Sequence, residues 1–367
     1  MQIFLDNIVF TIQKAGGVSA YWYELLSRIC NNNWSISILN AQPGSENIFE
    51  QKIDYSKFQC ICESRIPKRY LRYLPLRYKL PFAAVFHGGY LRISPQKNIL
   101  NILTVHDFAH ERKLVTAFPR SLVNTIQKAY GIRRADGIIC ISESTRKELL
   151  QFYPATDPAK LQVIHHGISN DFYPLDKDKL PHCSLPLHLE EKYILYVGAR
   201  KKYKNFSVAL EVMKQLPAKY TLVAAGGEPW SEKEINNLNN NIPGRYHIFP
   251  IVGAADLNVL YNYAFCLLYT SAYEGFGFPP GEAMKAGCPV VATNLTAMPE
   301  IVGKAGLLAN QADAASFLEK ISLLENDSCK QLLIMKGIQQ AKLFTWEKSI
   351  QETIGFYQKC WNNKFLK

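Results

Sequence analysis

Residues 264–291, AFCLLYTSAYEGFGFPPGEAMKAGCPVV, join an apolar run to a helix-forming run through a glycine-rich loop. The run at 264–268 predicts a buried strand, and residues 280–286 predict a helix whose first turn accepts proline. Gly275 and Gly277 allow the backbone of the loop to approach a ligand closely, and exposed N–H groups beside a helix N-terminus attract anions. The stretch therefore predicts a strand–loop–helix unit of an α/β fold, with a ligand site at the carboxyl end of the strand.

Two carboxylates flank this loop, Glu274 before the predicted helix and Glu282 inside it. An ionised carboxylate is an acceptor only, and one carboxylate can receive two neighbouring hydroxyls of a sugar or a ribose. A second interpretation stays open, in which Glu282 is only a favourable charge in the first turn of the helix and the glycines only form a turn. The whole string favours a ligand site, because the acids, the glycines and the helix start occur together.

Around this stretch, short apolar runs alternate with helical patterns in two series along the chain. Each series is typical of a parallel sheet covered by helices on both faces, and two in succession indicate two doubly wound α/β domains. A polar segment with prolines and no periodicity separates the two series. We therefore expect a first domain over residues 1–170, a linker over 171–192 and a second domain over 193–347, with ligands bound in the cleft between the domains.

The composition of the 367-residue chain is globular, with 48% hydrophobic and 20% charged residues. No apolar run approaches the ~18 residues that a membrane-spanning helix needs, and the N-terminus is interpreted as a first strand rather than a signal peptide. The nine cysteines include no CxxC motif, so we expect reduced thiols in a cytoplasmic protein. The net charge of +11 points to anionic partners such as phosphate esters, a lipid surface or nucleic acid.

A second informative stretch is residues 193–206, YILYVGARKKYKNF, in which a predicted strand ends at Gly198 and a cluster of cations follows. Arginine engages phosphate oxygens in pairs and lysine neutralises them as a point charge, so Arg200 and Lys204 are candidate phosphate ligands. Asn205 suits the N-cap of the next helix. The stretch predicts a diphosphate site at the carboxyl end of this strand, and a solvated basic loop is the alternative.

The first domain contributes two weaker signals. Gly16 and Gly17 follow the first predicted strand and open a helix, where backbone N–H groups can face a ligand, although a plain turn is the alternative. His106 follows another predicted strand, and its helical spacing to His110 indicates no metal site, because no third ligand lies nearby in the sequence. The chain lacks GxGxxG and GxxxxGK motifs, so readings as a dinucleotide oxidoreductase or a P-loop NTPase lose their main support.

The string EGFGFPPGEAMKAGCPVV at residues 274–291 resembles the donor-site signature of glycosyltransferase family 4, whose members have the GT-B fold of two Rossmann-like domains facing each other across a cleft. Weaker family-like segments extend the resemblance over most of the chain. It implies that Glu274 binds hydroxyls of the transferred sugar and positions the donor, while Glu282 binds the ribose. Three residues would meet the sugar and the diphosphate through their backbone: Gly275, Phe276 and Gly277.

The same resemblance assigns roles to the other candidate residues. Arg200 and Lys204 would hold the phosphates and stabilise the departing diphosphate, although Arg200 lies one residue further from its glycine than in other members. The glycine pair at 16–17 would face the donor phosphate and the acceptor, and His106 would lie near the transferred sugar. A last helix at about 348–367 would cross back to the first domain.

The resemblance therefore implies an enzyme that moves a hexose, with mannose among the candidates, from a GDP- or UDP-sugar to a hydroxyl of a glycan or lipid-linked acceptor. It implies retention of the anomeric configuration and no metal or other cofactor, and the chain indeed has no DxD-type pair where Mg²⁺ would be wanted. Assembly of a surface polysaccharide, such as O-antigen or capsule, is the expected setting. Two alternatives stay open: a GT-B enzyme with a small soluble acceptor, such as a sugar-phosphate synthase or an epimerase, and a non-catalytic protein that binds nucleotides or carbohydrates.

Residues 65–79, RIPKRYLRYLPLRYK, interleave six cations with three tyrosines, beginning at Arg65 and ending at Lys79. Tyrosines and cations suit a lipid–water interface with anionic headgroups, which makes peripheral contact with the inner face of the cytoplasmic membrane one expectation. A solvated basic segment is the alternative. Nucleic acid is not an expected partner, because the chain has no recognisable nucleic-acid-binding module.

Overall fold

The computed structural model describes residues 1–29, 34–40, 45–115, 119–176, 184–186 and 192–366, and the chain divides into two compact units. Unit 1 comprises Met1–His166 together with Trp346–Lys367, and unit 2 comprises Gly167–Thr345. Each unit is built on one parallel sheet, as the two series of alternating patterns predict.

Unit 1 contains a seven-stranded sheet within the described residues. Its strands are β1 (Gln2–Asp6), β2 (Ser35–Leu39), β3 (Gln59–Ile61), β4 (Ala84–Gly88), β5 (Ile99–Val105), β6 (Gly137–Cys140) and β7 (Leu161–Val163). Its first helices are α1 (Gly17–Ile29), α2 (Lys68–Leu71), α3 (Arg120–Arg134) and α4 (Glu143–Phe152). The order is β3-β2-β1-β4-β5-β6-β7, and the central strands β4, β5 and β6 are buried throughout, which is why they read as continuous apolar runs.

Unit 2 contains a six-stranded parallel sheet. Its strands are β8 (Tyr193–Val197), β9 (Thr221–Ala225), β10 (Tyr246–Phe249), β11 (Cys266–Tyr269), β12 (Val290–Thr293) and β13 (Leu307–Ala309). Its helices are α5 (Phe206–Gln215), α6 (Glu232–Asn241), α7 (Ala254–Tyr263), α8 (Phe278–Lys285), α9 (Met298–Ile301), α10 (Ala314–Leu323) and α11 (Asp327–Ala341). The order is β10-β9-β8-β11-β12-β13.

The strand order reverses once in each sheet. In unit 1 the reversal lies between β1 and β4, and in unit 2 it lies between β8 and β11. Doubly wound sheets bind ligands in the crevice outside the carboxyl ends of the strands at such a switch point. The topology therefore directs attention to the loops that follow these four strands.

The last helix, α12 (Trp346–Phe365), belongs to unit 1 although the residues before it belong to unit 2. Tyr357 places its hydroxyl 2.6 Å from Nδ1 of His87 on β4, and Lys364 forms a 2.7 Å ion pair with Asp136. Gly137 permits this packing, because a Cβ there would lie 2.7 Å from the sulfur of Cys360. Within the described residues, no helix has both the length and the apolar character that a bilayer-spanning helix requires.

The boundary between the units falls earlier than the sequence indicates, between His166 and Gly167, and the expected linker packs on unit 2. The backbone N–H of Tyr173 donates to Oδ1 of Asn258 at 3.1 Å, and that of Leu175 donates to Oδ1 of Asn262 at 2.7 Å. Side-chain amides of α7 thus satisfy a backbone that has no strand or helix partner. Residues 177–183 and 187–191 of the expected linker lie outside the described residues.

Candidate active site

Two loops flank the switch point of unit 2. One follows β8 from Gly198 onward, and the other follows β11 and carries the glycine-rich stretch. The backbone N–H of Ala272 donates to the oxygen of Tyr203 at 2.8 Å, which ties the loops together. Sequence-distant candidates, the cations after β8 and the carboxylate after β11, are therefore brought to the same edge of the sheet.

Lys204 and Glu274 form an ion pair across this crevice, with 2.5 Å between Nζ and Oε1. Their side chains are 20% and 12% exposed, so the pair is shielded but still open to solvent. Tyr269 at the end of β11 donates a hydrogen bond to the same oxygen of Glu274. Burial, followed by the nearby charge of Glu274, raises the pKa of the Tyr269 hydroxyl well above its ordinary value, so this hydroxyl remains a donor.

The backbone on both sides of the ion pair is held in place by two threonines. Thr270 Oγ1 donates to the main-chain oxygens of Lys204, at 2.9 Å, and Asn205, at 3.0 Å. Thr296 Oγ1 accepts the backbone N–H of Glu274 at 3.0 Å. Thr296 adopts a φ of +50°, a left-handed conformation that is strained for a β-branched residue.

The glycine-rich loop enters α8 through Gly277, which has a φ of +99° and whose Cβ, if present, would overlap the side chain of Met298. Phe276 does not offer its ring to a ligand. The ring is buried, 5.7 Å from that of Phe344 in an edge-to-face contact and 5.4 Å from that of Phe278. Residues 275–277 can therefore meet a ligand only through backbone groups.

Glu282 lies in the second turn of α8, because the helix begins at Phe278 and not at residue 280 as predicted. The first turn contains no acidic residue, so the interpretation of Glu282 as a first-turn charge is wrong. Tyr261 donates a hydrogen bond to Oε2 of Glu282 at 2.9 Å. Burial is the main cause that raises the pKa of Glu282 to about 7, and the negative charge of Asp171 acts in the same direction.

The polar contacts of Arg200 are with residues other than Lys204 and Glu274. Its Nε donates to Oε1 of Glu234 at 2.8 Å, and its guanidinium carbon lies 3.8 Å from the ring centre of Trp230. Partial burial raises the pKa of Glu234, but hydrogen bonds from Arg200 and Ser231 outweigh it and bring the pKa to about 2. The structure thus assigns Arg200 contacts that fasten the β8 loop to the start of α6, while Lys204 occupies the crevice.

His106 lies after β5 in unit 1, partly buried. Its ring makes an edge-to-face contact with Tyr21 at 5.3 Å and lies 5.4 Å from the ring of His166. Burial lowers the pKa of His106 to about 4, with a smaller effect of Lys128 in the same direction. The imidazole is therefore neutral near pH 7.

Gly17 is the first residue of α1, and the carbonyl of Gly16 accepts the hydroxyl of Ser19 at 2.9 Å. Because α1 carries Tyr21, the glycine pair and His106 belong to one neighbourhood of unit 1. His110 does not join His106: its ring nitrogens lie 3.2 Å from Ser121 Oγ and 3.1 Å from Asn124 Nδ2. In the described part of the chain, no group of three or more His, Cys, Asp or Glu side chains is arranged to hold a metal ion.

Several residues around these candidates were not identified from the sequence: Tyr21 and His166 in unit 1, and Gly226, Gly227, Tyr269, Thr270 and Thr296 in unit 2. Gly226 and Gly227 end β9 with φ values of +76° and +90°, and a Cβ on Gly227 would lie 2.8 Å from the oxygen of Gly198. A glycine pair directly after an apolar run was a signal that could have revealed this contact. Single threonines carry no such signal, because their role depends on which distant groups meet them.

Comparisons with known proteins find relatives for both units. The family model described as "Glycosyltransferase Family 4" matches residues 15–172, and the model described as "Glycosyl transferases group 1" matches residues 182–342. The chain is 29% identical over 296 residues to the O-antigen chain mannosyltransferase B of Escherichia coli, an alignment that covers 75% of this chain and 74% of that protein.

Two solved structures share the fold. Sucrose-phosphate synthase from Thermosynechococcus elongatus superposes with a TM-score of 0.77 at 19% identity, covering 99% of this chain and 100% of the other. Anabaena HepE, solved in complex with UDP and glucose, superposes with a TM-score of 0.74 at 14% identity, covering 98% and 100% of the two chains.

Proposed function

We propose a function from the premise that this chain belongs to glycosyltransferase family 4 and is a glycosyltransferase with the GT-B fold. In this proposal the enzyme transfers a hexose from a nucleoside-diphosphate sugar to a glycan or lipid-linked acceptor in surface polysaccharide assembly. The mannosyltransferase among its relatives favours mannose, and the O-antigen in that relative's name favours this setting. The observation that carries the proposal is the Lys204–Glu274 pair at the switch point of unit 2.

In the proposed donor site, the diphosphate binds first to the cation of this crevice, and the sugar then binds to the carboxylate. Lys204 is the cation that the diphosphate meets, and binding of the diphosphate frees the Glu274 carboxylate to accept sugar hydroxyls. Glu282, held by Tyr261, accepts the two hydroxyls of the ribose. The backbone N–H groups at 275–277 face the sugar and the diphosphate at the N-terminus of α8.

The proposed reaction retains the anomeric configuration. The bond between the anomeric carbon and the diphosphate oxygen breaks, the acceptor oxygen bonds to the same face of that carbon, and the acceptor proton passes to the leaving diphosphate. Lys204 stabilises the negative charge that grows on this leaving group, which is the role that the proposal gives it in place of a metal ion. Neutral His106 is proposed to lie beside the transferred sugar as a hydrogen-bonding group.

Arg200 enters the proposal as a positioning residue. Its guanidinium contacts Glu234 and Trp230, so its effect on the phosphates would pass through the β8 loop that leads to Lys204.

The proposal places the protein in the cytoplasm, with residues 65–79 in peripheral contact with the membrane. Of the residues in this segment, Leu71 and Leu76 are buried in unit 1 while Tyr70, Arg77 and Lys79 are exposed. The segment thus anchors itself through leucines and offers cations and an aromatic ring to a surface.

Calorimetry with UDP, GDP, ADP and CMP in EDTA tests the donor site. We expect one diphosphate to bind without a divalent metal and Glu282→Ala to weaken it at least about tenfold, the effect of one hydrogen bond to a charged group. Glu319→Ala, which removes a carboxylate from the exposed surface of α10, is the matched control and should bind like the parent. The proposal fails if no nucleotide binds, or if both variants bind equally well.

A further inference from the structure

Residues 121–130 of helix α3 in unit 1 turn polar side chains inward and large apolar side chains outward. Asn124, Gln127 and Lys128 are buried, whereas Leu122 and Ile126 are 53% and 60% exposed. A surface helix ordinarily has the opposite arrangement, with an apolar stripe facing the core.

Each of these inward polar residues makes at least one hydrogen bond, which fixes the rotation of the helix. Gln127 donates to the main-chain oxygens of Arg72, at 2.5 Å, and Tyr90, at 3.2 Å. Lys128 donates to Oε2 of Glu111 at 2.8 Å. Turning α3 to bury its apolar stripe would break these bonds and leave a charge unpaired in the interior, so the exposed stripe belongs to the native fold.

The outward stripe is continuous. Leu122, Ile126 and Tyr130 follow one another at intervals of four residues, which places them on one face of the helix. A shallow groove of about 220 Å³ connects the stripe to Tyr73 and Leu74 of the basic segment.

Positive charge is concentrated in the part of the sequence that contains this stripe, although Arg92 and Lys128 are buried in ion pairs and add nothing to the surface. Residues 64–135 contain 14 Lys and Arg against two Asp and Glu, a charge of +12, while the whole chain carries +11. Arg133 and Arg134 are exposed at the end of α3, and Arg77 and Lys79 are exposed in the basic segment. Large apolar side chains with flanking cations match a bilayer with anionic headgroups, in which the apolar groups enter the interface and the cations meet the phosphates.

We propose that the outward face of α3 binds the surface of an anionic bilayer, with the Leu122–Ile126–Tyr130 stripe in the interface and Arg133 and Arg134 at the headgroups. This surface adds α3 to the proposed contact of residues 65–79. Only the purpose of the membrane binding rests on the proposed function: binding would hold the enzyme where a lipid-linked acceptor resides.

Sedimentation with vesicles of phosphatidylcholine, with and without about one third phosphatidylglycerol, tests the proposal. We expect the full-length protein to sediment only with the anionic vesicles and Leu122→Gln/Ile126→Gln to weaken binding at least about tenfold, because two exposed apolar groups are lost. Met335→Gln on α11, which replaces an equally exposed apolar residue of unit 2, is the control and should bind like the parent. If the double variant fails to fold, Arg133→Glu/Arg134→Glu, which changes only exposed side chains, should reduce binding to a similar degree.

Three outcomes would overturn the proposal: no binding of the parent to anionic vesicles, equal binding by the parent and a folded stripe variant, or a parent dimer that the stripe substitutions dissociate in the absence of lipid. Nucleotide calorimetry on the same samples separates this inference from the proposed function. A parent that binds nucleotide but not vesicles refutes the inference and the membrane contact of residues 65–79 and leaves the transferase function standing. A parent that binds vesicles but no nucleotide refutes only the transferase function.

Discussion

Units 1 and 2 have the same strand order at their switch points but fill the crevices there in opposite ways. In unit 1 the side chain of Arg92 is fully buried, 2.7 Å from Asp6 at the end of β1 and 2.7 Å from Glu63. In unit 2 the Lys204–Glu274 pair stays partly exposed. A buried, fully partnered cation has no capacity left for a ligand, whereas a partly exposed pair can exchange its carboxylate for a phosphate.

Backbone geometry reinforces the difference between the crevices. Gly89 follows β4 so closely that a Cβ there would overlap the backbone oxygen of Asp6, so the switch point of unit 1 is occupied by protein. In unit 2 the glycine-rich loop is displayed at the equivalent edge beside Lys204. The strand order predicts where a ligand can bind, and the side chains at that position determine whether a ligand binds there.

The largest effect that we expect comes from removing Arg92 from the buried ion pairs at the switch point of unit 1. Arg92→Met leaves Asp6 and Glu63 buried without a counter-charge, which should lower the free energy of unfolding by about 3–5 kcal/mol. Urea denaturation of the full chain measures this loss. Arg77→Met, which removes an exposed cation of unit 1, should change stability by less than about 0.5 kcal/mol. A loss below about 1 kcal/mol in Arg92→Met would show that the buried network does not hold unit 1 together.

The second-largest effect that we expect is a loss of turnover when Lys204 is removed from the crevice of unit 2. Lys204→Ala should reduce turnover about 10²- to 10³-fold, the usual effect of removing one group that stabilises a developing negative charge, and it should leave stability nearly unchanged. Lys214→Ala, which removes a cation from the exposed surface of α5, is the control and should retain parental turnover. Steady-state kinetics with the identified donor measures both. Equal activity of the two variants would remove Lys204 from the reaction.

A pH dependence should distinguish Glu282 from an ordinary surface carboxylate. With a pKa of about 7, Glu282 is mostly protonated at pH 6 and ionised at pH 8, and only the ionised form accepts both ribose hydroxyls. Affinity for a nucleotide-sugar, whose phosphates do not titrate in this range, should rise about tenfold, and Glu282→Gln should abolish the rise. The stability of the ligand-free protein should move in the opposite direction, because a carboxyl with a raised folded-state pKa loses stabilisation as pH rises from about 4.5 to 7. An affinity that stays flat between pH 6 and 8 would contradict this role.

The smallest effect should come from the support of Glu274. Thr296→Gly removes the acceptor for the Glu274 backbone N–H but also relieves a strained φ, so stability should change by less than about 1 kcal/mol while turnover falls several-fold. Thr296→Ser keeps the hydroxyl and should restore most of the turnover. Kinetics of both variants beside their melting curves checks the prediction, and equal turnover in the two would show that the hydroxyl does not matter.

Much of the fold was predictable because buried parallel strands are continuous apolar runs. The short runs SISIL at 35–39, YILYV at 193–197 and YHIF at 246–249 predict strands, and the structure has strands with these bounds. The sequence did not reveal β3 and β13, because three residues are too few to show a periodic pattern. The equally short edge strand β7 was found only because it lies within a longer run at 160–164 that predicts a strand.

For the candidate site, residue types and spacing predict which residues follow neighbouring strands, but not how their side chains are oriented. Lys204 and Glu274 meet because both follow strands at the switch point, which topology alone implies. The direction of Arg200 could not be foreseen, since Trp230 and Glu234 compete for its guanidinium from a distant part of the sequence. The left-handed conformation of Thr296 was equally hidden, because a threonine gives no sign of it.

A crystal structure with the tightest-binding nucleoside diphosphate tests the central claim most directly. The account predicts the diphosphate at the switch point of unit 2, with Nζ of Lys204 on a phosphate oxygen, the 2.5 Å contact to Glu274 broken, and the ribose on Glu282. A nucleotide bound at the switch point of unit 1, or one bound in unit 2 with the Lys204–Glu274 pair intact, would contradict it.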